Sequence, residues 1–263
     1  MDGVAAVAPH VTAEAAIAFD RVSLDLGGRE VLREVSFSLP VGAFGCVIGP
    51  SGSGKTTVLR LAGGFLSAKS GSVRVNGAPR TAPSRDVAVV FQDYGRALLP
   101  WRDAYGNVSL ALEAAGVPRA ERRDRIEALL TTVGLRDHLR KFPSALSAGM
   151  QQRLQIARCL AQEPRVLLMD EPFGALDAMT RGALQDEVLR LVAARGMTVL
   201  FVTHDLEEAL YLGDTVIALA ANPGRVARVV EVPLPVPRHQ LTTREHPDFL
   251  RLRRDLFGLM GHG

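Results

Sequence analysis

The stretch GPSGSGKTT at residues 49–57 restricts this chain more than any other part of it. It satisfies G-x-x-x-x-G-K-[ST] at every position. The apolar run AFGCVI precedes it and a helical pattern, KTTVLRLAGGF, follows. Strand, glycine loop and helix in that order are the context that gives the motif its meaning. Glycines let successive backbone N–H groups curl around a phosphate, and the helix N-terminus behind them adds partial positive charge. Gly49, Pro50, Ser51, Gly52, Ser53, Gly54 and Thr57 are therefore candidates for the phosphate cradle. Lys55 brings a full charge to the β- and γ-phosphates, and Thr56 offers its hydroxyl to Mg2+.

The rest of the chain supplies the frame such a loop needs. VAVVF (87–91), RVLLMD (165–170) and TVLFVTH (198–204) are short aliphatic runs bounded by polar residues, the composition of buried parallel strands. Helical patterns lie between them, one of them over 178–195, so the expected class is α/β with a parallel sheet. Upstream, IAFDRVSLDL and EVLREVSFSL are split by Gly27-Gly28 and followed by the turn Pro40-Val41-Gly42, which suits antiparallel strands; SVRVNG (72–77) adds another. Residues 96–163 hold no strand-like run and read as an all-helical insertion, with Pro118 and Gly134 bracketing one helix. Near the end, VPLPVPRH (232–239) is extended. HPDFLRLRRDLFGLM then predicts an amphipathic helix with Phe249, Leu252, Leu256 and Met260 on one side.

Composition excludes several function classes. With 263 residues, 47% of them hydrophobic, the chain can bury a large core in one domain or two lobes. A net charge of only +3, with Arg-rich runs at 118–125 and 251–255 interleaved with acids or apolar residues, gives no strong field for holding nucleic acid. Cys46 and Cys159 lie in a strand-like and a helical pattern, without metal-ligand spacing, which suits a reducing compartment. The apolar N-terminus opens with Asp2, contains Glu14 and is broken by Pro9, so it reads as neither signal peptide nor membrane span. A cytoplasmic location is expected.

Three strand ends carry further chemistry. MDEP (169–172) closes the second apolar run, and neighbouring strand residues face opposite sides, so Asp170 and Glu171 take different roles. Asp170 directly ends the run, as a metal-holding Walker B aspartate does, and Glu171 is the candidate general base. His204 follows the third run, at the edge where α/β sheets hold ligands, within reach of a γ-phosphate or attacking water. Gln92, after VAVVF, can present its amide oxygen to the metal or the water. A second small-residue turn before a helix, LSAGMQQR (146–153), has the form of another phosphate grip.

GPSGSGKT, the glutamine of VVFQDYG, LSAGMQQR, VLLMDEP, GALD (174–177) and VTHD, in this order and spacing, resemble the ATP-binding subunit of an ABC transporter over nearly all of residues 17–263. FQDYGRALLPW (91–101) and ALAANPGRVARVVEVPLPVPR (218–238) are similar to the importer group handling nitrate, sulfonates, taurine and related small ions. The resemblance implies a P-loop NTPase fold: a RecA-like core with an antiparallel β subdomain and an inserted helical subdomain at about 96–163. The Ala-rich residues 1–16 read as a loose tail; the resemblance implies an ATP-binding domain over 17–245 and a C-terminal helix over 246–263. It implies ATP and Mg2+, with Thr56, Gln92 and Asp170 toward the metal and Lys55, Glu171 and His204 in catalysis. It implies a head-to-tail homodimer in which Ser147 and Gly149 grip the γ-phosphate bound to the other copy. It implies integral-membrane permease partners docking near Leu98, Leu99, Pro100 and Trp101, an extracytoplasmic substrate-binding protein, no nucleic acid, and a peripheral place on the cytoplasmic face of the membrane.

Two positions depart from the family pattern. Ala148 stands where the signature's first glycine is usual, and alanine is strained there only if that backbone needs positive φ. Leu26, 29 residues before Lys55 (55 − 26), replaces the usual aromatic that stacks on adenine. These changes raise the alternative of a poorly hydrolysing regulatory binder. A soluble ATPase acting on nucleic acid or ribosomes is a further alternative, without the long coiled-coil insertion or second ATPase domain such proteins carry.

Overall fold

Alternating apolar residues build the first hairpin, β1 (Ala15–Leu26) against β2 (Arg29–Pro40), turned by Gly27 and Gly28, both at positive φ. The computed structural model describes residues 15–92 and 97–260. Residues 1–14, 93–96 and 261–263 and the side chain of Met260 lie outside the described residues. Ala16 is 1% exposed within β1, so the last two residues of the expected loose tail belong to the sheet. Phe19 opposes Phe37 across the hairpin, their rings stacked with centroids 4.7 Å apart. Arg21 and Glu34, each at φ 45°, bulge the two strands; the Arg21 N–H donates to Ser36 Oγ (2.8 Å) and the Glu34 N–H to Ser23 Oγ (3.0 Å).

The wholly buried β3 (Phe44–Ile48) leads through the glycine loop into α1 (Lys55–Gly63). β4 (Ser70–Val75) then joins β1 antiparallel, and β5 (Ala78–Pro79) ends the sheet β2-β1-β4-β5. These elements form one compact unit together with the chain from residue 192 onward.

A second unit spans residues 85–191. Its strands, β6 (Val87–Val90) and β7 (Val166–Asp170), pair in parallel. Between them come α2 (Ala104–Ala114), α3 (Arg119–Thr132) and α4 (Ala148–Leu160), with no strand among the described residues of this stretch. Asp103 caps α2 by accepting from the Gly106 N–H at 2.7 Å. Pro118 precedes α3 and Gly134, at φ 68°, follows it, the asymmetry that proline and glycine favour. α5 (Ala178–Arg195) follows β7.

Returning to the first unit, the chain forms β8 (Thr198–Val202), α6 (Leu206–Leu212), β9 (Thr215–Ala220), β10 (Arg225–Glu231), α7 (Thr242–Glu245) and α8 (Pro247–Met260). β3 lies between β8 and β9, parallel to both, and β10 pairs antiparallel with β9. Reading by periodicity passed over β9 and β10 as strands, although Asn222-Pro223-Gly224 between two β-branched runs is a hairpin signal.

The extended segment after β10 ends in a deeply buried arginine. Arg238 donates to the Leu210 and Tyr211 carbonyls at 3.0 and 2.8 Å, capping α6, and to Asp214 Oδ1 at 3.2 Å. α8 buries Phe249, Leu252 and Leu256, while Arg244 and Arg253 both reach Glu207 on α6, at 3.0 and 2.7 Å. The ion pairs are half-exposed and contribute little; the apolar face holds the helix. Phe249 is 0% exposed, so Phe249→Ala is expected to destabilise the protein by about 3–5 kcal/mol. A lowered urea midpoint measures this, and an unchanged midpoint would mean α8 is dispensable to the core.

Candidate functional site

The phosphate loop hangs from the C-terminal end of β3. The Ser53 N–H donates to the Pro50 carbonyl at 3.2 Å, and Gly49, Gly52 and Gly54 take positive φ values of 157°, 77° and 87°. Lys55 Nζ donates to the carbonyls of Gly49 (2.8 Å) and Pro50 (3.0 Å), which lays the ammonium across the loop it belongs to. Ser53 is fully buried, and its Oγ has no hydrogen-bond partner among the described residues.

The β9–β10 turn backs this loop. Gly224 donates to the Val31 carbonyl and accepts from the Arg33 N–H, both at 2.8 Å. A Cβ added at Gly224 would stand 2.2 Å from the Ser53 carbonyl oxygen, so no other residue fits without moving the loop. Sequence reasoning missed this support; its only local sign is the Asn-Pro-Gly turn.

His204 lies at the same sheet edge, because β8 runs parallel to β3 beside it. Residues on both sides of it are fixed. The Thr203 N–H donates to Val47 O (3.2 Å), and its hydroxyl donates to the buried Glu208 Oε2 (2.6 Å) and accepts from the Asp205 N–H (3.0 Å). Asp205 caps α6 by accepting from Glu207 and Glu208 N–H groups at 2.9 and 3.1 Å. The imidazole itself is exposed.

The second unit carries the carboxylates. β7 ends at the buried Asp170, and Glu171 turns the backbone into the left-handed region at φ 46°. Strand alternation therefore does not set the direction of Glu171, contrary to the sequence expectation; a left-handed turn does, at a cost of order 1–3 kcal/mol. Gln92 Nε2 lies 3.4 Å from Glu171 Oε2, so the glutamine and the candidate base meet directly.

LSAGMQQR forms the start of α4. Ser147 is the N-cap, accepting from the Met150 N–H at 3.3 Å, which leaves its own O–H to donate outward. Gln151 Nε2 returns to the Pro143 and Leu146 carbonyls at 2.9 and 3.2 Å. Ala148 is the first helical residue and is absent from the positive-φ positions, so alanine is unstrained there. Gly149 is the demanding position: a Cβ would stand 2.7 Å from Leu176 Cδ2. Leu26 stands at the exposed end of β1.

The buried face of α4 also carries residues that the sequence reading did not single out. Gln152 Nε2 points to the Glu171 carbonyl at 3.5 Å. With its amide oriented to complement the backbone, Gln155 accepts from Phe91 N at 2.8 Å and donates to Phe91 O at 3.1 Å. The sign available in sequence was two glutamines three residues apart in an otherwise apolar helix face. In the loop before α2, Leu98 is 3% exposed and packs inside, whereas Trp101 is 71% exposed. Buried Asn107 holds the loop, accepting from Leu99 N at 2.9 Å and donating to Arg102 O at 2.9 Å.

Among the described residues no three His, Cys, Asp or Glu side chains gather as a metal cage. Mg2+ does not require one: it takes one or two protein oxygens and keeps water and phosphate for the rest. The Thr56 hydroxyl in the first unit and the Gln92 amide and Asp170 carboxylate in the second are each hard oxygen donors of that kind, a chemistry that suits Mg2+.

A glycine loop on a central parallel strand, with an acid pair closing another strand, defines a P-loop ATP-binding protein. Residues 32–174 match the family model described as ABC transporter. The taurine import ATP-binding protein TauB of Chromobacterium violaceum is 42% identical over 248 residues, covering 92% of this chain and 94% of that protein. The nitrate import ATP-binding protein NrtD of Synechococcus elongatus is 42% identical over 227 residues, covering 85% and 82%. A dimeric ATP-binding cassette solved in a post-hydrolysis state with ADP and Pi superposes with a TM-score of 0.73 at 31% identity, covering 82% of this chain and 98% of that one. The chain belongs to the ABC transporter family and is an ATPase of the P-loop NTPase fold.

Because Ala148 is unstrained, Ala148→Gly is expected to cost about 0.5–1 kcal/mol of stability through helix entropy. The ATPase rate should change by only about a few-fold, since the Ser147 cap and Gly149 are untouched. Steady-state phosphate release checks this, and a hundredfold gain would show that Ala148 limits the signature turn.

Proposed function

We propose that this chain is the ATP-hydrolysing subunit of an importer for a small anion such as nitrate, a sulfonate or taurine, working as a head-to-tail homodimer on a membrane permease. The observation that carries the reading is the near full-length relation to import ATP-binding proteins named for nitrate and taurine. No described helix is long and apolar enough to cross a membrane, consistent with a peripheral subunit. A separate substrate-binding protein outside the membrane completes the system.

In this reading the loop amides and Lys55 bind the β- and γ-phosphates, and Thr56 and Asp170, with Gln92, hold Mg2+. The ion, when bound, neutralises phosphate charge. Glu171 accepts the proton of the attacking water, a role worth about 10²–10⁴ in rate. His204 donates to the γ-phosphate and keeps it in line. Ser147, through its remaining O–H, and the Gly149 backbone complete the site of the second copy. Hydrolysis removes that bridge and releases the dimer. Leu26 offers adenine an aliphatic surface in place of a ring. Trp101, standing out of a loop that Asn107 holds rigid, is the anchor for a permease helix.

Glu171→Gln should bind ATP, lose at least about 100-fold in turnover and elute as a dimer with ATP. Hydrolysis at the wild-type rate would sink the base assignment. Trp101→Ala should lose co-purification with a co-expressed partner permease while staying folded by circular dichroism. Undiminished capture of the permease would move the docking surface elsewhere.

A further inference from the structure

The buried face of α4 holds three polar side chains where a core helix ordinarily places aliphatic ones. Gln152, Gln155 and Cys159 follow helical spacing, and all three are buried. Each is directed at backbone of the two strand ends: Gln152 at the Glu171 carbonyl (3.5 Å), Gln155 at both the N–H and C=O of Phe91, and the Cys159 Sγ at the Val89 carbonyl (3.3 Å). Burial pushes the Cys159 thiol up to about 12, so it stays a neutral donor. Gln155 is bonded through both amide atoms, whereas Gln152 Oε1 finds no partner among the described residues; burying such amides is costly, and simple packing would be met by leucine. The strongest of these grips is two-pronged, and it falls on the residue immediately before Gln92. Gln92 in turn meets the Glu171 carboxylate at 3.4 Å.

We infer that Gln155 is a positioning residue that fixes Gln92 beside Glu171, with Gln152 steadying the Glu171 backbone from the same helix. The inference rests on the reading of Gln92 and Glu171 given above. It gives α4 two duties: its Ser147 end serves the nucleotide of the other copy, and its buried face sets the water and metal ligands of its own chain. Gripping a phosphate at one end therefore bears on the geometry at the other. This role differs from core filling because it must act through Gln92.

A double-mutant cycle in the full-length chain, with ATP and MgCl2, separates the two. Gln155→Leu should lower kcat about ten- to a hundredfold and raise the Mg2+ concentration for half-maximal rate, the usual size of an outer-shell effect. ATP affinity should stay within about twofold, because the phosphate loop is untouched. In a Gln92→Ala background the same substitution should cost nothing further. If the two losses multiply, or if Gln155→Leu hydrolyses ATP at the wild-type rate while Gln92→Ala does not, the inference is overturned. Gln92→Ala at the wild-type rate would instead overturn the underlying site reading, and this inference with it. Should Gln155→Leu fail to fold, Gln155→Met, which keeps the side-chain length, runs the same cycle and is read by the same outcomes.

Discussion

The glycine loop is organised around Lys55, whose ammonium is held across the loop it belongs to. An ammonium in bulk water is strongly hydrated and mobile; here it is anchored on the carbonyls of Gly49 and Pro50. That anchoring requires a loop that turns back on itself, which in turn requires three glycines at positive φ and a rigid strand beneath. β3 provides the strand, flanked on both sides, and the β9–β10 turn closes against the loop's rear.

The carboxylate part is built on a different principle. Where the phosphate loop relies on backbone flexibility, Glu171 relies on a side-chain-bearing residue being held in a conformation it disfavours. Such a turn persists only when its neighbours over-determine it. The α4 glutamines are suited to that task, since each amide addresses main chain rather than another side chain.

Local order was legible in the sequence because it is written locally. The phosphate loop, the buried runs of β6, β7 and β8, the helical stretch ahead of β7 and the apolar face of α8 all follow from spacing and periodicity. What escaped depends on partners far along the chain. Gly224 matters because Ser53 lies against it, and Gln155 because Phe91 does; the local signs, an Asn-Pro-Gly turn and a pair of glutamines, do not name those distant partners. Leu98 and Trp101 sit in one apolar stretch, yet one is buried and the other exposed, in a loop tied down by Asn107 from the following helix. For Glu171 the period-2 rule was applied one residue past the end of its strand.

The placement of β3 between β8 and β9 has a consequence for the nascent chain. Its strand partners among the described residues begin at Thr198 and Thr215, about 150 residues after β3 leaves the ribosome. Until then this wholly buried strand of the first unit has both edges unpaired, a state prone to wrong pairing. A chain that has not yet reached β8 and β9 thus lacks the flanking strands that give its phosphate loop a firm base.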